Sequence, residues 1–90
     1  MVLGGKMFIT YILQSEKNGS YYIGSTQDLE ERIKKHNTGQ SKYTKKLKPW
    51  ILVYTEKYGT LSEARRREMY LKSLKSKVAI EKLLINGPIV

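Results

Sequence analysis

Four kinds of side chain in this sequence could do chemistry at a phosphate. Arg32 and His36 stand one helical turn apart, so on a helix they project together. Leu29 and Ile33 mark the inward face of that helix, which puts the pair at the core boundary. An arginine fork beside an imidazole suits an anionic oxygen; a solvated basic helix with a snorkelling arginine gives the same pattern. Glu68 falls at the flank of a second helix whose inward stripe is Leu61, Ala64 and Leu71, next to Arg65, Arg66 and Arg67. A carboxylate there requires a partner or a metal. A neighbouring arginine would satisfy it; so would magnesium, commonly held by a single carboxylate, waters and substrate phosphate. Tyr11 and Tyr22 complete the set as phenols on adjacent strands. A tyrosine acts as a general base once its pKa, ordinarily about 10, is lowered by a cation; otherwise it is a core residue with a satisfied hydroxyl.

The elements that position these groups follow from pattern. Met7–Gln14 is β-branched and aromatic and reads as a strand. It has Ile9, Tyr11 and Leu13 on one face and Phe8, Thr10 and Ile12 on the other, so it should be central and covered on both sides. Asn18-Gly19 is a turn signal, and Tyr21-Tyr22-Ile23 returns as a second strand ended by Gly24-Ser25-Thr26. Asp28 and Glu31 form a capping box for a helix from Leu29 to His36 or Asn37, stopping near Gly39. Residues 39–48 read as a polar, basic loop and Trp50–Tyr54 as a third strand. Thr60 and Glu63 open a helix to about Leu74, and Lys77–Ile85 a short last one. The fold class expected is α+β: a small antiparallel sheet flanked by helices, in the order β-β-α-β-α-α.

Ninety residues suffice for one domain with one modest core, taken as 1–90 with its core at about 7–78 and tails at 1–6 and 86–90. The absence of cysteine excludes disulfides, a thiolate nucleophile and sulfur-ligated metal sites, and a lone histidine excludes multi-histidine sites. No stretch approaches the length of a membrane span. Lys6 with Met7–Leu13 has no small-residue cleavage site and reads as a buried strand, so a cytoplasmic location is expected.

Seventeen basic against eight acidic residues give a net charge of +9, which points to a polyanionic partner. The excess sits in two clusters. Residues 32–48 carry Arg32, Lys34, Lys35, Lys42, Lys45, Lys46 and Lys48 with no acid; residues 65–77 carry Arg65, Arg66, Arg67, Lys72, Lys75 and Lys77 against Glu68. Tyr43 lies within the first cluster, where base stacking is possible, and Trp50 beside it reads as core.

Taken together and in order, these residues resemble the GIY-YIG nuclease domain. Tyr22-Ile23-Gly24 is a literal YIG, with Tyr11 eleven residues before Tyr22, Arg32 ten after it and Glu68 on a downstream helix. Tyr11-Ile12-Leu13, Asp28-Leu29-Glu30-Glu31-Arg32, His36-Asn37, Lys42-Tyr43-Thr44 and Arg66-Arg67-Glu68 follow the family's order over about residues 7 to 78. The similarity is to small single-domain bacterial members, relatives of the catalytic N-terminal domain of the excision-repair protein UvrC. It implies a three-stranded antiparallel sheet flanked by helices. It also implies hydrolysis of nucleic-acid phosphodiesters, DNA above all, with structure rather than sequence preference, in repair or processing, with Mg²⁺ or Mn²⁺.

By the same resemblance Glu68 is the metal ligand, Arg32 neutralises the phosphoryl oxygens, Tyr11 and Tyr22 position and deprotonate water, and His36 assists. Lys35, Lys42, Tyr43, Lys45, Lys46 and Arg65 are expected to contact nucleic acid. Three departures stand out: Ile9-Thr10-Tyr11 lacks the first motif's Gly and Ile, Ser25 replaces a lysine after YIG, and Asn86 is the only asparagine downstream of Glu68. They keep open a non-catalytic nucleic-acid-binding module, or a subunit whose protein partner supplies targeting.

Overall fold

A computed structural model describes residues 7–40, 42 and 44–86, with β1 (Phe8–Ser15), β2 (Tyr21–Thr26), α1 (Leu29–Asn37), β3 (Trp50–Tyr58), α2 (Leu61–Ser73) and α3 (Lys77–Asn86). A 3-10 turn, Lys45–Leu47, lies within the basic loop. The sheet order is β2-β1-β3 with both pairings antiparallel, so the most apolar strand is central and β2 is an edge. Tyr11, Ile12 and Leu13 are all fully buried, as a strand covered on both faces requires.

Two clusters divide the core by face. Ile12, Ile23 and Tyr54 meet Leu71 of α2 and Ile80 of α3, with Leu74, Leu83 and Leu84 packed around them. Tyr11, Leu13 and Trp50 meet Leu29 and Ile33 of α1, with Tyr22, Leu47 and Leu52. Truncating a side chain such as Ile12 to alanine would cost about 2–5 kcal/mol.

Local chemistry sets the helix ends. Asp28 accepts from the Glu31 N–H at 3.1 Å; Glu30 and Glu31 occupy the first turn of α1, and Lys34, Lys35 and His36 the last, each sign complementing the helix dipole. Gly39 takes a positive φ of 80° just past the end, where side chains are strained. Thr60 caps α2 through the Glu63 N–H at 3.2 Å.

The structure departs from the sequence expectation at several ends. β2 continues through Thr26 because Gly24, Ser25 and Thr26 pair with Tyr11, Thr10 and Ile9. β3 runs on to Tyr58 because Thr55, Glu56, Lys57 and Tyr58 pair with the first half of β1. In both cases the length of β1 dictates the partner, since its backbone groups need ladder bonds. Leu61 is exposed rather than inward. The last helix reaches Asn86, and its packing carries the core past residue 78 to Leu84.

Candidate active site

Sheet register places the tyrosines. Tyr11 pairs with Gly24, and its ring crosses that glycine so closely that a Cβ at position 24 would come within 2.6 Å of the Tyr11 hydroxyl. Close approach, rather than turn geometry, is why the third residue of Tyr22-Ile23-Gly24 has no side chain. The Tyr11 hydroxyl lies 3.2 Å from His36 Nε2, and His36 Nδ1 lies 2.9 Å from Thr44 Oγ1, so the imidazole is held at both nitrogens. Tyr22 packs its ring 4.6 Å from that of His36 and 6.4 Å from that of Tyr11, centroid to centroid.

Two residues hold this cluster from behind. The Trp50 indole donates to the Thr44 carbonyl at 2.9 Å. Asn37 clips the Trp50 backbone, donating to its carbonyl at 3.0 Å and accepting from its N–H at 2.6 Å. In sequence Thr44 and Asn37 are only parts of short motifs; in the fold Thr44 holds His36 directly and Asn37 acts on it through Trp50. Trp50 is core, as expected.

The front of the cluster is open. Tyr22, Arg32, Lys35, His36 and Gln40 line a cavity of about 280 Å³. Arg32 and His36 do project together, one exposed and the other buried. Burial, and then the neighbouring Arg32 guanidinium, lower the His36 pKa, so the imidazole is neutral at physiological pH. Burial raises the Tyr11 phenol, its electrostatic interaction with Tyr22 adds to this, Arg32 opposes it and Glu68 adds a smaller push. Tyr11 therefore keeps its proton, and both Arg32 and Glu68 are close enough to be felt at one hydroxyl.

Glu68 arrives from the other face of the sheet. Side chains alternate along β2: Tyr22 packs on the α1 side, Ile23 on the α2 side, and Ser25 again toward α2. The Ser25 hydroxyl donates to Glu68 Oε1, and Lys72 donates to Oε2 at 2.6 Å. The arginine partner weighed for Glu68 is not the one found. Arg67 turns to Glu56 instead, at 2.9 and 3.1 Å. Thr10, one of the motif departures, donates to the Ala64 carbonyl at 2.8 Å and so ties β1 to the turn of α2 before Glu68. Among the described residues no group of three or more His, Cys, Asp or Glu side chains converges. A lone carboxylate such as Glu68 is the kind of donor that suits a hard cation keeping most of its waters.

The expected nucleic-acid contacts divide. Lys35 lines the cavity with Arg32. Lys45 and Lys46 are exposed on the 3-10 turn, which follows directly on Thr44, and Lys42 is exposed just before it. Arg65 is exposed on α2, one turn before Glu68. Tyr43 lies outside the described residues. Gln40 in the cavity lining, and the contacts of Ser25 and Lys72 with Glu68, are further features that the sequence does not mark.

Residues 7–83 match the family model of the GIY-YIG catalytic domain. The chain belongs to the GIY-YIG family. That family is one of nuclease domains, and the three-stranded sheet with its helices is the fold the family implies. A UPF0213 protein of Staphylococcus saprophyticus is 52% identical over 58 residues, 63% of this chain and 71% of that one. A UPF0213 protein of Staphylococcus aureus is 49% identical over 57 residues, 62% and 70% of the two chains. The solution NMR structure of the UPF0213 protein BH0048 from Bacillus halodurans superposes with a TM-score of 0.57 at 37% identity, covering 90% of this chain and 86% of that one. No helix among the described residues of this GIY-YIG chain is long and apolar enough to cross a membrane.

Proposed function

We propose that this chain is a metal-dependent endonuclease that hydrolyses phosphodiester bonds in nucleic acid, DNA in the first instance, during repair or processing. The observation that carries the reading is convergence at the β2 edge: Tyr22, Arg32 and His36 from one face of the sheet and Glu68 from the other, all around Tyr11. Glu68 would hold Mg²⁺ or Mn²⁺, which when bound supplies positive charge to the scissile phosphate and the leaving oxygen. Ser25 keeps one carboxylate oxygen of Glu68 turned inward, so the oxygen now facing Lys72 is the one offered to a cation.

Arg32 reaches into the cavity and donates to the phosphoryl oxygens as their charge rises. Among the described residues Tyr22 is the phenol that lines the cavity, and its role in this reading is to orient the attacking water and take its proton. Tyr11 keeps its own proton and orients neutral His36, whose role is to hold the phosphate side of the cavity in shape. Lys35, Lys42, Lys45, Lys46 and Arg65 would track the backbone, giving a salt dependence of roughly −0.9 in log–log slope per phosphate neutralised on duplex DNA. A single domain of this size has little surface of its own for reading base edges, which favours structure over sequence preference.

The test is a nicking and cleavage assay on supercoiled, branched and single-stranded DNA with Mg²⁺, Mn²⁺ or EDTA, wild type beside Glu68→Ala. Metal-dependent cleavage lost in the variant is the expected result. Equal cleavage by the variant would remove Glu68 from the site. Tight binding without cleavage under any metal would make the chain a binding module, or a subunit that needs a protein partner.

A further inference from the structure

A second and larger recess lies along the same strand. It has a volume of about 740 Å³ and runs between β2 and the α2–α3 corner. Its floor is apolar: Tyr21, Ile23, Leu71 and Ile80. Its rim is cationic: Lys72, Lys75 and Lys77. Lys77 closes the far end, its ammonium so near the β1–β2 turn that a Cβ on Gly19 would lie 3.2 Å from it. Lys75 holds a positive φ of 47° at the corner between the helices, an uncommon conformation for a side-chain-bearing residue.

Two residues join this recess to the proposed active site. Tyr22 lines both cavities. Lys72 belongs to the rim, and it is the lysine that pairs with Glu68 at 2.6 Å. The two openings lie on opposite faces of β2, and because β2 is an edge strand no further strand covers the free edge around which they meet. A strand of nucleic acid with its phosphate at Arg32 and Glu68 would therefore lay its next nucleotide over the recess.

We infer that this recess is a binding subsite for one unpaired nucleotide flanking the cleaved phosphate, its base against the apolar floor and its phosphate on Lys72, Lys75 and Lys77. The inference rests on the nuclease reading for which phosphate is cleaved, and goes beyond it in naming what the neighbouring nucleotide must be. An apolar floor does nothing for a sugar–phosphate backbone, whereas a base face gains by leaving water. A paired and stacked base has no free face to offer, so the nucleotide that fills the recess is unpaired. The second basic cluster of the sequence thereby finds a use for Lys75 and Lys77, exposed at the recess, and for Lys72, exposed there beside its pairing with Glu68, whereas Arg67 is engaged by Glu56.

Binding is measured by fluorescence anisotropy in EDTA, where the expected metal-dependent cleavage is silent. The probes are a short single-stranded oligodeoxynucleotide, the same strand made abasic at successive positions, and its duplex. The proteins are wild type, Lys75→Glu/Lys77→Glu, Ser20→Trp (which fills the mouth of the recess from its rim) and Lys45→Glu/Lys46→Glu as a control cluster. Thermal melts confirm that each variant folds.

The expected result for wild type is a loss of about tenfold in affinity when one particular base is removed. Lys75→Glu/Lys77→Glu should weaken single-strand binding at least about tenfold and duplex binding much less. In Ser20→Trp the abasic position should no longer matter. The inference is overturned if every abasic strand binds like the intact one, or if the two lysine pairs weaken all probes alike. A protein that shows the abasic effect but never cleaves with metal would sink the nuclease reading and leave the recess standing. One that cleaves but is blind to the abasic position does the reverse.

Discussion

Glu56 and Glu68 make an instructive pair. Their side chains are almost equally buried, at 16% and 18% exposure, so burial does not distinguish them. Their partners do. Glu56 accepts from the hydroxyls of Tyr54 and Tyr58 and from two nitrogens of Arg67. Glu68 accepts from Ser25 and from one lysine whose side chain is 53% exposed. A carboxylate whose oxygens are filled by four donors is a bracket; it fixes α2 to β3 and cannot take a cation without losing bonds. A carboxylate held firmly at one oxygen and loosely at the other has a coordination position to give. Arg67 and Glu68 are consecutive, and they pin α2 to opposite edges of the sheet, β3 through Glu56 and β2 through Ser25. By engaging Arg67, the bracket also keeps an arginine off the neighbouring carboxylate.

Matched glutamine substitutions would break this contrast if it is wrong. Glu68→Gln should lower metal-dependent cleavage by roughly 10³-fold or more, since it removes the anchoring charge of the site, while shifting the melting temperature little. Glu56→Gln should do the opposite. It leaves Arg67 short of a charged partner and should cost about 2 kcal/mol of stability, with cleavage per folded molecule largely kept below the melting transition. Cleavage lost equally in both variants would mean that the bracket is part of the chemistry.

Acid titration sharpens the same contrast. Burial works to raise the Glu56 carboxyl, but the hydrogen bonds from Tyr54, Tyr58 and Arg67 outweigh it and leave the pKa lowered. A group depressed in the folded state contributes stability that is complete above its unfolded value, about 4.3, and lost as pH falls from there toward the folded value. Wild type should therefore show an acid limb in its melting temperature below about pH 4.3 that is shallower in Glu56→Gln. His36, also depressed in the folded state, adds a separate limb beginning near pH 6.5, which Glu56→Gln leaves in place.

The metal side of the comparison turns on Ser25. Removing the hydroxyl that orients a ligating carboxylate typically weakens metal affinity by 10- to 100-fold. Ser25→Ala should thus loosen Mn²⁺ binding, read by calorimetry without nucleic acid, by about tenfold. Unchanged affinity would show that Glu68 needs no orienting partner. In sequence Ser25 stands out only as a departure from a lysine; in the fold it is turned toward the α2 face and donates to Glu68.

What was legible in the sequence, and what was not, follows the same division. Element order and helix caps rest on local pattern, alternation and capping boxes, whereas the Tyr, Arg, His and Glu set stands out only through the ordered resemblance to the GIY-YIG family. The cavity's backing, Thr44 and Asn37 on Trp50, rests on contacts between segments distant in sequence, and no periodicity marks them. The Glu56 bracket is hidden for a related reason. Tyr54, Glu56 and Tyr58 alternate properly for a strand, but an acid on the inward phase looks like the strand's end unless Arg67 is known to face it. The reach of β2 and β3 was missed because each takes its length from β1 rather than from its own composition.

The smallest expected effect tests the loose end of Glu68. Lys72 and Glu68 form an i,i+4 pair on the helix surface, an arrangement worth about 0.3–0.5 kcal/mol. If Lys72 merely occupies the oxygen that a cation would take, then Lys72→Met should tighten Mn²⁺ binding about twofold, leave the melting temperature nearly unchanged, and abolish part of the salt dependence of metal affinity. If instead Lys72 holds the carboxylate in its working orientation, as Ser25 does, the same substitution should loosen the metal, and the two sides of Glu68 would be equivalent. The sign of the change decides it: tightening leaves Glu68 with one fixed side and one exchangeable side, which is what separates it from Glu56.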